Sequence, residues 1–245
     1  VSPMGNDTQD GSETKPFATI QRAMAAVREL KLPETPGGPV TVYLRGGLHS
    51  LSTKLRFGPE DSGTAKRPVT YRSFPGERAV ISGGRKLSGT WRRSPGKPYY
   101  QLSVPATLEE GWRFFSLHVN GHSRLRARTP NWGEKVLRAE GRAPGEDPRQ
   151  AFTYMKGDID PAWSNLTDID VILLCSWTPT LHRIQEVDAS SRAVRFHSSH
   201  TRVVDFWEKN FRYYLSNVFE ALDEPGEWYL DYHSGVLYYY PMPGE

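Results

Sequence analysis

At 245 residues the chain is long enough for one large core or two smaller ones. Its 31 basic and 28 acidic side chains leave a net charge of +3 and are scattered along the sequence, so the concentrated basic surface of a nucleic-acid binder is excluded. The longest apolar run, Val171-Ile172-Leu173-Leu174-Cys175, falls far short of the ~18 residues a membrane span needs, and no membrane-spanning helix is expected.

Aromatic residues make up 12% of the sequence, with 22 Gly and 19 Pro, and only one stretch has helical character, which predicts a mostly β protein of short strands and turns. The single Cys175, inside the apolar run, is expected to be a buried thiol without a disulfide partner. Val1-Ser2-Pro3 shows neither an initiator Met nor the charged, apolar, small-residue series of a secretory leader, which suits either a leader already removed or a late start.

In chain order, Phe17, Ile20, Met24, Val27 and Leu30 recur at three- and four-residue steps, with Thr14 and Pro16 before them and Pro33 after. That spacing predicts an amphipathic helix over residues 16–31 with one face laid on an apolar surface. Val40-Thr41-Val42-Tyr43-Leu44, Val69-Thr70-Tyr71-Arg72 and Ala79-Val80-Ile81 read as short strands closed by turns at Arg45-Gly46-Gly47, Ser73-Phe74-Pro75-Gly76 and Ser82-Gly83-Gly84. No helical period returns to build a doubly wound sheet, so a coiled β solenoid is expected, with the helix capping the open end of its first coil. From Arg85 the sequence becomes richer in Trp, Arg and Pro, with strands predicted over residues 114–119, 169–176, 193–196 and 236–240 and hairpin turns at Asn120-Gly121 and His233-Ser234-Gly235. Residues 85–245 therefore read as a second, antiparallel β module, a sandwich or barrel.

The opening Val1-Ser2-Pro3-Met4-Gly5-Asn6-Asp7, then Gly11-Ser12, Pro16-Phe17-Ala18-Thr19-Ile20-Gln21 and Ala23, resembles that of right-handed parallel β-helix carbohydrate enzymes of the pectate-lyase-like kind, and the pattern continues through Gly58-Pro59-Glu60-Asp61-Ser62-Gly63-Thr64 to Ile81-Ser82-Gly83-Gly84. Val119-Asn120-Gly121, Arg126-Ala127-Arg128-Thr129-Pro130-Asn131, Asp168-Ile169-Asp170-Val171 and Trp177 are similar to the insertion domain of glycoside hydrolase family 141. So are Asn217-Val218, Glu220-Ala221-Leu222-Asp223, Pro225-Gly226-Glu227-Trp228-Tyr229-Leu230-Asp231 and Gly235-Val236-Leu237-Tyr238-Tyr239. The resemblance implies residues 1–84 as cap and first coils, and residues 85–245 as an insert that leaves at Gly83-Gly84 and returns near residue 241. It further implies a secreted or extracytoplasmic enzyme on plant or algal polysaccharide, fucosidase- or xylanase-like. Its acidic catalytic residues would lie on later coils beyond residue 245, and those coils would be partners of this chain.

Glycoside hydrolysis by the usual route needs two carboxyl groups facing one sugar. Asp158 with Asp160, and Asp168 with Asp170, stand two apart, a spacing that puts both on one face of a strand. Gly157-Asp158 and Asp160-Pro161 nonetheless read as turn chemistry, and Asp168-Ile169-Asp170 as the start of a strand with its polar face outward. Asp223, Glu224 and Glu227 around Pro225-Gly226 read as solvated turn residues, and Arg124, Arg126 and Arg128 as a solvated strand face. No catalytic residue is assigned within the chain. His197 and His200, and His118 and His122, lack fitting carboxylate or Cys partners, so neither metal nor other cofactor is expected. The best candidates for touching a polysaccharide or oligosaccharide are Trp132, a flat indole in a loop-like stretch, and its neighbour Asn131, whose amide suits hydroxyl groups. The alternatives are a glycan- or surface-binding protein without catalysis, and a lyase or epimerase on uronic-acid polymers served by Arg124, Arg126 and Arg128.

Overall fold

A computed structural model describes residues 1–30 and 38–245 as a mostly β chain in two compact units, Val1–Leu87 and Ser88–Glu245. In the first unit, helix α1 spans Ile20–Leu30 and buries Ile20, Ala23, Met24 and Val27. It starts later than the periodicity suggests because Pro16 and Phe17 serve the chain's opening: their carbonyls accept the N–H groups of Asn6 and Ser2, 2.9 and 2.8 Å away. Asp7 Oδ1 then accepts the N–H groups of Ala18 and Thr19 at 2.8 and 2.9 Å, and the Thr19 hydroxyl caps the helix by accepting the Arg22 N–H at 3.1 Å. Gly5 is required at this crossing, since a Cβ there would lie 2.3 Å from the Phe17 carbonyl oxygen. Residue 31 and Pro33, included in the sequence reading of the helix end, lie outside the described residues.

The helix face shares a core with strands β1 (Val40–Leu44), β3 (Val69–Ser73) and β4 (Ala79–Ser82), made of Val1, Phe17, Ile20, Met24 and Leu44 with Val42, Tyr71 and Ala79 beside it, while β2 (Gly47–Ser50) buries His49. β1 pairs in parallel with β3, Val40 opposite Val69, and β2 in parallel with β4, Gly47 opposite Ala79. β2 was not legible: Arg45-Gly46-Gly47 reads as the end of a strand but is a corner between two, with Gly47 at φ +119°. Glu77 braces that corner, pairing with Arg45 at 2.7 Å and accepting the Gly46 N–H at 2.5 Å.

The second unit carries β5 (Arg92–Arg93), β6 (Tyr100–Ser103), β7 (Leu117–Val119), β8 (His122–Arg126), β9 (Arg128–Thr129), β10 (Leu137–Arg138), β11 (Ala151–Thr153), β12 (Asp170–Cys175), β13 (Thr178–Asp188), β14 (Ala193–Phe196), β15 (Arg212–Ser216), β16 (Glu227–Asp231) and β17 (Val236–Tyr239). One sheet runs β5-β6-β17-β16-β8-β7, the other β10-β15-β12-β13-β14-β11 with β9 also on β15. All pairs are antiparallel except β16 with β8. The strand expected from residue 114 begins only at Leu117, since Phe114 is taken up in stacking on Trp228 at 5.4 Å. β13 is long enough to serve two partners, β12 through Thr178–Arg183 and β14 through Ile184–Asp188, with an irregularity between Ile184 and Glu186. The main core gathers Phe152, Phe196, Phe211, Tyr213, Ile169, Leu173, Ile184 and Leu215, all fully buried, each such side chain contributing roughly 1.5–3 kcal/mol.

Three expectations are corrected here. Asp168 and Asp170 do not face outward: they are 3% and 0% exposed. β12, which Asp170 opens, runs between β15 and β13 and is buried along nearly its whole length, while Asp168 ends the short helical turn before it and accepts the Tyr232 N–H. Arg126 and Arg128 do not form a solvated face either, being buried, Arg126 against Asp170 and Arg128 against the Tyr214 ring. Arg126 Nη1 lies 2.5 Å from Asp170 Oδ2, Arg183 Nη2 3.2 Å from Asp170 Oδ1, and Arg126 Nε donates to Asn217 Oδ1 at 3.2 Å. Glu227 is not a solvated turn residue: 2% exposed, it opens β16, and only Asp223 and Glu224 remain at the surface.

Candidate functional site

β9 is held to β15 with Arg128 opposite Ser216 and Thr129 opposite Leu215, and a cis peptide bond follows between Thr129 and Pro130. The chain then turns sharply outward. Glu134 Oε2 accepts the Asn131 N–H at 3.0 Å, the Asn131 carbonyl accepts the Glu134 N–H at 3.1 Å, and Gly133 takes φ +93°. The result leaves Trp132 71% exposed at the tip.

Under that tip, the Arg128 guanidinium lies 3.8 Å from the centroid of the Tyr214 ring and 5.6 Å from that of Trp132. Arg128 Nε also donates to the Pro130 carbonyl at 2.8 Å, so the cation fixes the loop that carries the indole. Asn131 Nδ2 donates to Asp223 Oδ1 at 3.1 Å, joining this loop to the turn before β16. Glu227 folds that turn from beneath by accepting the N–H groups of Asp223 and Glu224, each at 3.1 Å. Burial pushes its carboxyl up to about 7, only partly offset by those two bonds.

The arrangement places an exposed indole beside an amide and a carboxylate edge. An indole face covers a sugar ring while amide and carboxylate edges meet hydroxyl groups. Asn131 and Trp132 are brought to the same edge, and Asp223 joins them. The remaining carboxylates are engaged elsewhere. Tyr213 donates its hydroxyl to Asp158 Oδ2 at 2.7 Å, Asp160 Oδ1 accepts the Ala162 N–H at 2.9 Å, and Asp168 Oδ2 accepts the Tyr232 N–H at 3.0 Å. His118, His122 and His197 are exposed, whereas His200 is buried with Nδ1 2.9 Å from the Arg202 carbonyl. Among the described residues no group of three or more His, Cys, Asp or Glu is placed to hold a metal ion. Sequence reasoning took Arg128 for a solvated strand face or a uronic-acid contact, and Asp223 and Glu227 for solvated turn residues, so it missed that they join this site. The signal available was their company, Arg128 two residues before the Pro130-Asn131 turn and Glu227 just after Pro225-Gly226.

The GH141 insertion domain, as a protein family, matches residues 99–242, which include this whole site. The chain belongs to that family. Its GH141 insertion domain and the residues before it align in full with a solved structure titled "Glycoside hydrolase", at 27% identity and a TM-score of 0.81, covering 43% of that chain. Among curated proteins, 83 residues are 32% identical to the uncharacterized protein YwoF of Bacillus subtilis, 34% of this chain and 15% of that protein. A stretch of 90 residues is 34% identical to pectate lyase PEL9 of Emericella nidulans, 37% of this chain and 19% of the lyase. The chain thus spans less than a fifth of these curated relatives and less than half of the solved hydrolase. No helix among the described residues is long and apolar enough to cross a membrane.

Proposed function

We propose that this chain is the front part of a secreted or extracytoplasmic glycoside hydrolase of the fucosidase or xylanase kind, acting on plant or algal polysaccharide. In this reading residues 1–84 form the capping helix and first coils of a right-handed parallel β-helix, residues 85–245 an inserted β module, and the catalytic acids lie on later coils beyond residue 245. The successive parallel pairings of β1 with β3 and β2 with β4 support the coil assignment. The observation that carries the functional reading is the exposed Trp132 beside Asn131, held over Arg128 within a GH141 insertion domain.

The test uses the full-length protein with Trp132→Ala and Asn131→Ala. Either change should raise KM for its polysaccharide several-fold with little effect on thermal stability, because both side chains sit at an exposed tip. Unchanged KM in both variants would remove this loop from substrate binding.

A lyase acting on uronic-acid polymers is the second reading, favoured by the match to pectate lyase PEL9. Product analysis separates the two: hydrolysis adds water across the glycosidic bond, whereas elimination leaves an unsaturated sugar end that absorbs in the ultraviolet.

A further inference from the structure

At the end of the β12–β13 hairpin, Ser176 takes φ +46° and Trp177 stands at the tip, 77% exposed. Its indole meets that of Trp207, with ring centroids 4.9 Å apart and planes at 59°, and Trp207 in turn meets Phe206 edge-on at 4.8 Å. Trp207 and Phe206 are themselves 47% and 49% exposed. These three large rings contribute little to the core of the unit, yet they are held together at its surface.

The loop carrying two of them is fixed by ion pairs on either side. Asp205 pairs with Arg142 at 2.8 Å, while Glu208 pairs with Arg138 at 2.7 Å and with Arg212 at 3.2 Å. The Arg202 guanidinium lies 4.5 Å from the centre of the Phe206 ring. Arg142 and Arg138 keep 51% and 46% of their side chains exposed, so whatever covers the rings must hydrogen-bond these groups in place of water. A sugar hydroxyl replaces that water, and the ring faces take the apolar C–H side of a pyranose.

We propose that Trp177, Trp207 and Phe206 form a second carbohydrate-binding site, distinct from the Trp132 loop, for a single soluble polysaccharide chain. Indoles meeting at 59° do not present the coplanar platform that a flat, crystalline polysaccharide surface would need, whereas they follow a chain whose successive rings are rotated. The site holds polymer without touching the reacting bond. The choice of a sugar as its occupant rests on the carbohydrate chemistry proposed above.

The experiment is electrophoresis of this chain and of the full-length protein through native gels containing arabinoxylan, xyloglucan, fucoidan or homogalacturonan. Both proteins should be retarded in at least one gel, with apparent affinity falling about fivefold or more in Trp177→Ala and Trp207→Ala. Trp177→Phe, which keeps a ring, should recover most of it, and circular dichroism should show that each variant folds. Three results overturn the proposal: no retardation in any gel, equal retardation of the Trp177→Ala/Trp207→Ala double variant, or retardation of the chain but not of the full-length protein, which would mean that later coils cover the patch. A concentration-dependent dimer abolished by the double variant would assign the patch to a second copy and equally overturn it. Failure of the hydrolase reading shows instead in the products of the full-length protein, which these gels do not measure.

Discussion

Arg126 on β8 and Asp170 on β12 form a buried ion pair, 2.5 Å between Nη1 and Oδ2, that ties the two sheets of the second unit to each other. The pair is embedded rather than isolated. Arg183 reaches the other carboxylate oxygen, and Asn217 accepts from Arg126 and the Leu230 N–H while donating to the carbonyls of Leu230 and Asp168. Asp170→Ala leaves two guanidinium groups without their anion, and a loss of about 3–5 kcal/mol is expected in urea unfolding followed by tryptophan emission. All seven tryptophans lie between residues 91 and 228, so that signal reports this unit. Arg126→Met combined with Asp170→Leu should be less destabilised than the single variant. Additivity of the two single changes would show that the residues do not interact.

Glu227 makes the stability of this unit depend on pH. Its carboxyl is raised from 4.5 to about 7 in the folded chain, so between those values the folded state keeps a proton that the unfolded state has released. Stability from this group is therefore fully present below pH 4.5, declines as pH rises toward 7, and levels off above it, a total of about 3 kcal/mol. Glu227→Gln keeps an acceptor for the Asp223 and Glu224 N–H groups but cannot ionise. Unfolding free energies at pH 5 and pH 8 should differ less in this variant than in the wild type, and an unchanged difference would locate the titration elsewhere.

Ile20, at the start of α1, is 3% exposed in the core shared with Val1, Met24 and Leu44. Ile20→Asp places an unpaired carboxylate there, and a loss of about 3 kcal/mol or more is expected. The check is hydrogen exchange of the β1 and β3 amides, which should accelerate strongly in the variant. A change within about 0.5 kcal/mol would mean that the helix face does not seal this core.

The helix and strands β1, β3, β4, β12, β14 and β17 were legible because their signals are local. Ile20, Met24 and Val27 repeat at the helical period, and Asn120-Gly121 adopts the positive φ angles, 52° and 79°, that a tight hairpin turn demands. β13 was not legible: Thr178 to Asp188 mixes Arg, Gln, Glu and His because the strand changes partners midway, and it shows no clean alternation. Buried charge was misread for a related reason. Asp170 looks solvated until Arg126, 44 positions earlier, is placed against it, and no spacing rule links the two. At the candidate site, Trp132 and Asn131 could be picked by residue type, whereas the Asp223 contact spans 92 positions and exists only in the fold.

If the catalytic acids lie on later coils, this chain alone releases no reducing sugar from xylan or fucosylated glycans above a protein-free blank. Three of the carboxylates within it, Asp158, Asp168 and Asp170, are poorly placed for the work. Asp170 is saturated by two guanidinium groups, Asp168 is held by the Tyr232 N–H with His233 3.6 Å away, and Asp158 is bound by the Tyr213 hydroxyl. A general acid must present its proton to the glycosidic oxygen, and its partner must reach the opposite face of the same sugar. Asp168 and Asp170, 3% and 0% exposed, can do neither without the surrounding strands opening. Measured turnover by the isolated chain, abolished in Asp168→Asn or Asp158→Asn variants that still fold, would show that these acids act in spite of their burial and would move the active site into this module.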